Sequence, residues 1–324
     1  MAKEFDSAIE LQLDIQRVSQ SIQGEVVRIL QRMERELLAE VASANYTEWR
    51  RARVERQLKE VRGLINGYYD RVLEASTESN TEVATTTGKA AVASIGAEAV
   101  LPTAQVFRSL ASDLLIQGAP SADWWAKQSA DTAFRFAQEV RQGVAAAETN
   151  QQIVRRVMRI METSKAGAAA LVHTSVSTIA NDARMAVYAD NLDVIKRYRA
   201  VATLDSHTCP RCYPLDGLEW EPDGTPIGHS TPMPKYPLHV GCRCVMAGRV
   251  FDRAPKGQRS SADGPVDADL TFSGWLKRQS KEKQTEILGK GRAELYQSGK
   301  ITLTDLVNGR GSPLTLEQLR SKYA

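Results

Sequence analysis

The sequence predicts a mainly α protein with a small α+β C-terminal part. Long N-terminal helices come first, then a helical middle, a short β-hairpin module stapled by a zinc site, and a short helical tail. Three observations carry this reading. Apolar residues recur at gaps of three and four through the first half of the chain. Seven of the twelve prolines fall between Pro210 and Pro237, a density that excludes a helix there. All four cysteines lie between Cys209 and Cys244.

The N-terminal region, 1–119, reads as a helical arm or hairpin. From about residue 6 to 44 the stripe Ile15, Val18, Ile22, Val26, Ile29, Met33, Leu37, Val41 lies on one helical face. A helix of ~35 residues would be ~50 Å long. After a break at Asn45-Tyr46-Thr47, Trp49, Leu58, Val61, Ile65, Tyr68 and Val72 form a second stripe. The expectation is an antiparallel hairpin that docks on another protein or on a second copy of the chain. From Ser76 to Thr103 the composition turns to Thr, Ala, Ser and Gly, which leaves close packing and mobility both open.

In the helical middle, 120–200, Ser121 is a candidate cap for a helix carrying Trp125, Ala133, Phe136, Val140, Val144 and Ala147. Thr149 or Asn150 would cap the next, with Ile153, Val157 and Ile160 inward. Arg155, Arg156 and Arg159 face outward, read as a solvated face in preference to a phosphate contact. A third helix would run through Val172, Val176, Ile179, Ala183 and Val187.

The pattern then becomes β-like over 201–250. Ala200 to Leu204 reads as a strand, Leu215-Asp216-Gly217-Leu218 as a tight hairpin, and Cys244 to Val250 as a closing strand. The polar stretch at 251–269, clearest from Pro255 to Asp269, reads as a linker. In the tail, 270–324, Ser273 would cap a helix bearing Trp275 and Leu276 and ended by Gly289, while Thr315 and Gln318 have capping-box spacing. The tail holds ten basic side chains against five acidic ones.

Composition bounds the function. At 324 residues the chain has room for about two domains of ~150 residues. Hydrophobic residues at 42% and charged residues at 25% exclude wholesale disorder. A net charge of +3 is too small to imply nucleic-acid binding. No run approaches the ~18 apolar residues of a membrane span, and the start MAKEFDSAIELQLDIQ lacks the apolar core of a signal peptide. The chain is therefore expected to be made and kept in a reducing cytoplasm.

In that compartment clustered cysteines hold a metal or do chemistry more often than they form disulfides. The frame is Cys209-x2-Cys212, then His239-x2-Cys242-x-Cys244. Five soft ligands for the four corners of a zinc tetrahedron leave one to spare. Structural Zn2+ is the leading reading. Unpaired buried thiols, a disulfide, and a nucleophilic Cys209 or Cys242 with His239 as base are the alternatives. No HExxH helix, P-loop or dinucleotide glycine pattern is present.

Leu204-Asp205-Ser206-His207-Thr208-Cys209-Pro210-Arg211-Cys212, Leu215-Asp216-Gly217, Pro237-Leu238-His239 and Cys242-Arg243-Cys244 together resemble the core of the phage Mu F-like family of minor head proteins. His207 stands where that family usually has Arg, and His173 likewise. Glu148 to Arg156, Thr174 to Arg184, and tail segments around Trp275 and Leu314 are also similar to it. The resemblance spans roughly 120–324. It implies a structural virion protein near the portal, made in the host cytoplasm, with the portal protein and other head components as partners and a part in head assembly and genome packaging or ejection. It implies no enzyme. The second reading is a zinc-stapled module touching packaged DNA non-specifically, and the third a Cys/His hydrolase or toxin. Any DNA contact by the tail is expected to be weak and lost as salt rises, for it has neither a groove-reading element nor interleaved aromatics.

Overall fold

The computed structural model describes residues 4–44, 51–96, 98–250, 257–309 and 311–323. In order they form α1 (Glu4–Ser43), α2 (Arg51–Ile95), α3 (Ala104–Ser112), β1 (Leu115–Ile116), β2 (Ala119–Pro120), α4 (Ser121–Ala145) and α5 (Asn150–Ala189). Then come β3 (Arg197–Val201), β4 (Glu219–Trp220), β5 (Val245–Arg249), β6 (Gln258–Ser261) and β7 (Gly264–Asp267). The tail holds α6 (Phe272–Lys277), α7 (Lys281–Leu288), α8 (Lys290–Gln297) and α9 (Leu316–Tyr323). The class is the one predicted: long N-terminal helices, with small antiparallel sheets toward the C-terminus. Contacts divide the chain into two units, one made of Gln16–Val83 and Arg108–Ile179, the other of Met1–Ile15, Ala84–Phe107 and Ala180–Ala324.

In the first unit the α1 stripe is core. Ile22, Val26, Met33, Leu37 and Val41 are buried, so the face read as a docking arm is covered by the chain itself. The face is rotated slightly from the expected one, with Ser19 and Leu30 inside and Val18 41% exposed. On α2, Leu58, Val61, Ile65, Tyr68 and Val72 are buried; the expected break at Asn45-Tyr46-Thr47 and Trp49 lie outside the described residues. The Thr/Ala/Ser stretch resolves as close packing. Helix α2 continues through it, Thr77 and Thr81 hydroxyls bond back to the carbonyls of Leu73 and Thr77, and the buried Asn80 side chain donates to Ser175 Oγ at 2.7 Å. Small side chains make that approach of neighbouring helices achievable.

Two helix starts and one break differ from expectation. Ser121 is the first residue of α4, with Pro120 as its cap and no side-chain cap bond; the Ser121 N–H goes instead to the Leu114 carbonyl at 2.9 Å. The helix stops at Ala145, so Ala147 (φ 54°) is outside it and exposed. Thr149 does cap α5: Gln152 N–H donates to its hydroxyl at 3.3 Å, and Gln152 Oε1 accepts from Thr149 N–H at 2.8 Å. The second and third middle helices are one continuous α5. Gly167 costs about 1 kcal/mol relative to Ala, too little to break a helix whose next turn buries Ala168, Leu171 and Val172. Arg156 pairs with Glu148 and Glu139 at 2.6 and 3.0 Å, and Arg155 and Arg159 are exposed.

The second unit is built on a three-stranded antiparallel sheet in the order β4-β3-β5. The register runs from Arg197↔Arg249 to Val201↔Val245, and Tyr198 faces Trp220. Tyr198, Ala200, Trp220 and Met246 join Val187 and Tyr188 of α5 in one core. Strand β3 begins three residues before the expected Ala200, because pairing with β5 sets its limits. The Asp216-Gly217 pair is not a two-residue hairpin turn. Residues 202–218 separate β3 from β4, and Asp216 is a buried acid with Gly217 at φ 87° beside it.

The described part of the expected linker is a hairpin, β6–β7, paired Gln258↔Asp267 to Ser261↔Gly264; Pro255 lies outside the described residues. What the polar composition concealed is one buried group, Arg259 at 3% exposure. In the tail Thr271, not Ser273, caps α6, and Ser280 caps the separate α7 that Gly289 (φ 76°) ends. The Thr315–Gln318 capping box at α9 forms as predicted, with bonds of 2.9 and 3.2 Å. The tail core of Phe272, Trp275, Leu276, Leu306 and Leu319 also takes in Leu204 and Tyr213.

Asp216 and Arg259 make a buried ion pair, with bonds of 3.1 and 3.2 Å and side chains 0% and 2% exposed. The same carboxylate accepts the N–H of Ala202 at 2.7 Å and of Phe272 at 2.6 Å. Arg259 also donates to the carbonyls of Ala202 and Leu270. Removing one partner of such a pair leaves a buried charge and costs about 3–5 kcal/mol. Asp216→Ala is therefore expected to lower unfolding stability by that amount, and Asp216→Asn by less. Denaturant midpoints, together with hydrogen exchange at Phe272, measure it.

Candidate metal centre

Two turns of the same kind face each other. In Cys209–Cys212 the Cys212 N–H donates to the Cys209 carbonyl at 2.9 Å, and in His239–Cys242 the Cys242 N–H donates to the His239 carbonyl at 3.1 Å. Gly241 takes φ 75° in the second turn, a region open to glycine at no steric cost. Each turn thus presents its first and fourth side chains on one side. Cys209, Cys212 and His239 form one group of converging ligand atoms, and Cys212, Cys242 and Cys244 another. All five residues singled out from the sequence are brought together, with Cys212 common to both groups.

The spacing can be tested against a metal. Zn–S bonds of about 2.3 Å and Zn–N bonds of about 2.0–2.1 Å make tetrahedral edges of about 3.8 Å between sulfurs and about 3.6 Å between sulfur and nitrogen. Cys209 Sγ and Cys212 Sγ are 3.6 Å apart, and Cys212 Sγ and Cys242 Sγ 3.7 Å. His239 Nε2 lies 3.0 Å from Cys209 Sγ and 3.3 Å from Cys212 Sγ. These edges match a tetrahedral ion to within a few tenths of an ångström. Because the ligand atoms converge as two groups that share Cys212, a single ion would require the two groups to draw together. The four cysteines are free, and the sulfur separations are far beyond the ~2.05 Å of a disulfide.

The imidazole is oriented for the same task. Its Nδ1–H donates to the Val240 carbonyl at 2.8 Å, which leaves the Nε2 lone pair facing the sulfurs.

Charge in the cluster is divided unevenly. The hydrogen bond from Cys212 draws Cys209 down to about 5, against the opposing effect of burial. Bonds from Cys212 and Cys244 draw Cys242 down to about 2. Cys212 is raised, first by its bond to Cys209 and then by those to Cys242 and Cys244 and by burial. At Cys244 the bond with Cys212 pulls down, but the bond with Cys242 and burial win and push the thiol well up.

Further residues, whose roles the spacing did not reveal, lock the turns. Arg243, between Cys242 and Cys244, makes a bidentate pair with Asp205 at 2.6 and 2.7 Å. Asp205 also accepts the His207 N–H at 3.0 Å and the Thr208 hydroxyl at 3.3 Å. Burial raises the Asp205 carboxyl, but Arg243 outweighs it and holds it below the usual range. From α5, Asn181 accepts the Met246 N–H at 3.2 Å and donates to the Cys244 carbonyl at 3.4 Å, and Arg184 donates to the Met246 carbonyl at 3.4 Å. The signal for the Asp205–Arg243 pair was in the sequence as a charge inside each cysteine motif; the α5 contacts depend on tertiary packing alone.

A test of the charge pattern follows for metal-stripped protein. Thiolate is the reactive form, and Cys209 is the half-buried member with a lowered pKa. Pulse alkylation read by mass spectrometry should label Cys209 first, at a rate that is level above about pH 6 and falls as pH drops through about 5. Cys212 and Cys244 should be protected throughout.

Residues 135–247, about a third of the chain, match a family model described as phage Mu protein F like protein. No curated protein and no solved structure matches the chain. No helix among the described residues is long and apolar enough to cross a membrane.

Proposed function

We propose that this phage Mu F-like protein is a structural component of a phage head, placed near the portal, that works by binding other head proteins and not by turning over a substrate. The observation that carries the reading is the family match over residues 135–247, whose C-terminal part contains the whole Cys/His centre. Its localisation is then the virion, reached from the host cytoplasm during assembly, and its contribution to packaging or ejection is to hold a fixed surface at the portal. Co-expression with the remaining head proteins tests this: the protein should sediment with assembled heads, and heads that form normally while it stays in the soluble fraction would refute the reading.

The centre's part in this is to keep the surface rigid. Cys209, Cys212, His239 and Cys242 hold one structural zinc, and Cys244 is the spare ligand and stays a thiol. All four sulfur–sulfur and sulfur–nitrogen contacts between 3.0 and 3.7 Å fall within that set. The two turns supply two ligands each. Zinc supplies a cross-link between the turns and neutralises their thiolates. Elemental analysis should find about one zinc per chain in wild type and in Cys244→Ser, and a large loss in Cys212→Ser and His239→Ala. A fully folded wild-type sample without metal would refute it.

A further inference from the structure

The Cys/His centre holds one more donor than a zinc ion uses, and the surplus has a geometry of its own. The five ligand atoms converge as two groups of three, Cys209 with Cys212 and His239, and Cys212 with Cys242 and Cys244. Within each group all ligand atoms lie within 4.8 Å of one another, and Cys212 belongs to both. The second group differs in kind from the first. It has three sulfurs and no nitrogen or oxygen donor, and its residues are 2%, 1% and 3% exposed.

Coordination number decides what such a group can hold. Structural zinc takes four ligands, and three sulfurs closed off from solvent are one short. Soft thiolates select Cu(I), a closed-shell d10 ion that is satisfied by two or three donors. The first group, with two sulfurs and the His239 Nε2, is likewise complete for such an ion. One zinc requires the groups to draw together. Two monovalent ions can occupy them as they stand, joined through Cys212, whose thiolate has lone pairs for both. Cys209 and His239 are half-buried, so an ion arriving from solvent meets them first.

The surroundings suit charged sulfur. Backbone N–H groups of Arg211 and Cys212 donate to the Cys209 sulfur, and those of Cys244 and Leu238 to the Cys242 sulfur. The Arg243 guanidinium is held above its usual range by its bonds to Asp205, against burial, and after those by the charges of Cys244 and Cys242. Two monovalent ions on four thiolates leave two negative charges, which these donors and this cation offset.

We propose that the centre has a second mode of metal binding, in which Cys244 joins Cys212 and Cys242 to hold a soft monovalent d10 ion of the class of Cu(I). Cys209, Cys212 and His239 hold another such ion, and the Cys212 thiolate bridges the two. Each thiol that enters a metal–sulfur bond releases its proton to solvent, and copper stays Cu(I) throughout. The inference rests on the reading of the cluster as a metal centre, and not on zinc being its occupant.

The test adds Cu(I), supplied as its acetonitrile complex without oxygen, to the full-length protein as purified. Elemental analysis after desalting should find about two copper ions per chain, with zinc displaced. In Cys244→Ser copper should fall to about one, while zinc before copper addition equals that of wild type. His239→Ala, which loses zinc, should still take up copper on the three-sulfur group. X-ray absorption at the copper edge reads wild type without substitution: sulfur donors should outnumber nitrogen, and each copper should show a copper neighbour. Circular dichroism checks that the variants are folded. A single copper in zinc-bearing wild type, copper uptake unchanged in Cys244→Ser, or a spectrum with no copper neighbour overturns this proposal alone. Two coppers but no zinc in wild type refutes the zinc reading alone, and uptake of neither metal refutes both.

Discussion

The buried Asp216 carboxylate ties together three pieces of chain, two of which are also joined by the Leu204–Ser261 bridge. Its two oxygens take the backbone N–H of Ala202 at the end of β3, the N–H of Phe272 at the start of α6, and the Arg259 guanidinium from β6. A carboxylate taken out of water is tolerable only when its lone pairs are used and its charge is matched, and here both conditions are met. Stability is not the main return on such a pair, since an apolar replacement of similar shape can be neutral. What it gives is a single geometry: the hairpin and α6 have one position at which every donor is used.

The metal centre inherits that geometry. Cys212 leads directly into Tyr213, whose ring stacks on Phe272 at 5.2 Å, and Leu215 and Asp216 follow within one turn. The Cys209–Cys212 turn is therefore anchored on the tail core, while the His239–Cys242 turn reaches it through the Asp205–Arg243 pair. Both ion pairs draw one member from a position beside a cysteine or from the loop between the turns. The Cys/His centre and the tail belong to the same compact unit, and the β6–β7 hairpin lies between them in sequence.

What could be read without coordinates was whatever local chemistry decides. The α1 stripe, the Thr149 and Thr315 caps and the convergence of Cys209, Cys212, His239, Cys242 and Cys244 all depend on spacing within a few residues or on ligand type. What failed depended on partners far along the chain. Ser121 resembled a cap, but the helix starts at Ser121 itself, with Pro120 in the cap position. The Thr/Ala/Ser stretch carries a buried face of mostly small or polar residues, Ser76, Asn80, Val83, Thr87 and Ala91, and contacts such as Asn80 to Ser175, ninety-five positions away, are invisible to composition. Residues 257–269 look like a linker because their tertiary contacts are made by polar residues, Arg259 with Asp216 and Asp263 with Trp275 and Gln279, whose partners lie elsewhere in the chain. Asp216-Gly217 is a turn signal in isolation, and only the sheet reveals that the acid is the buried anchor.

The contacts from α5 to β5 have an effect on how this protein can meet its neighbours. β5 is an edge strand, and a bare edge is a template for adding a strand from another chain. Here the outward N–H and C=O of Met246 are already taken by Asn181 and Arg184, one helical turn apart on α5. The helix acts as a side-chain seal along the rim. At this point of the border the backbone groups that a strand from another chain would pair with are already in use.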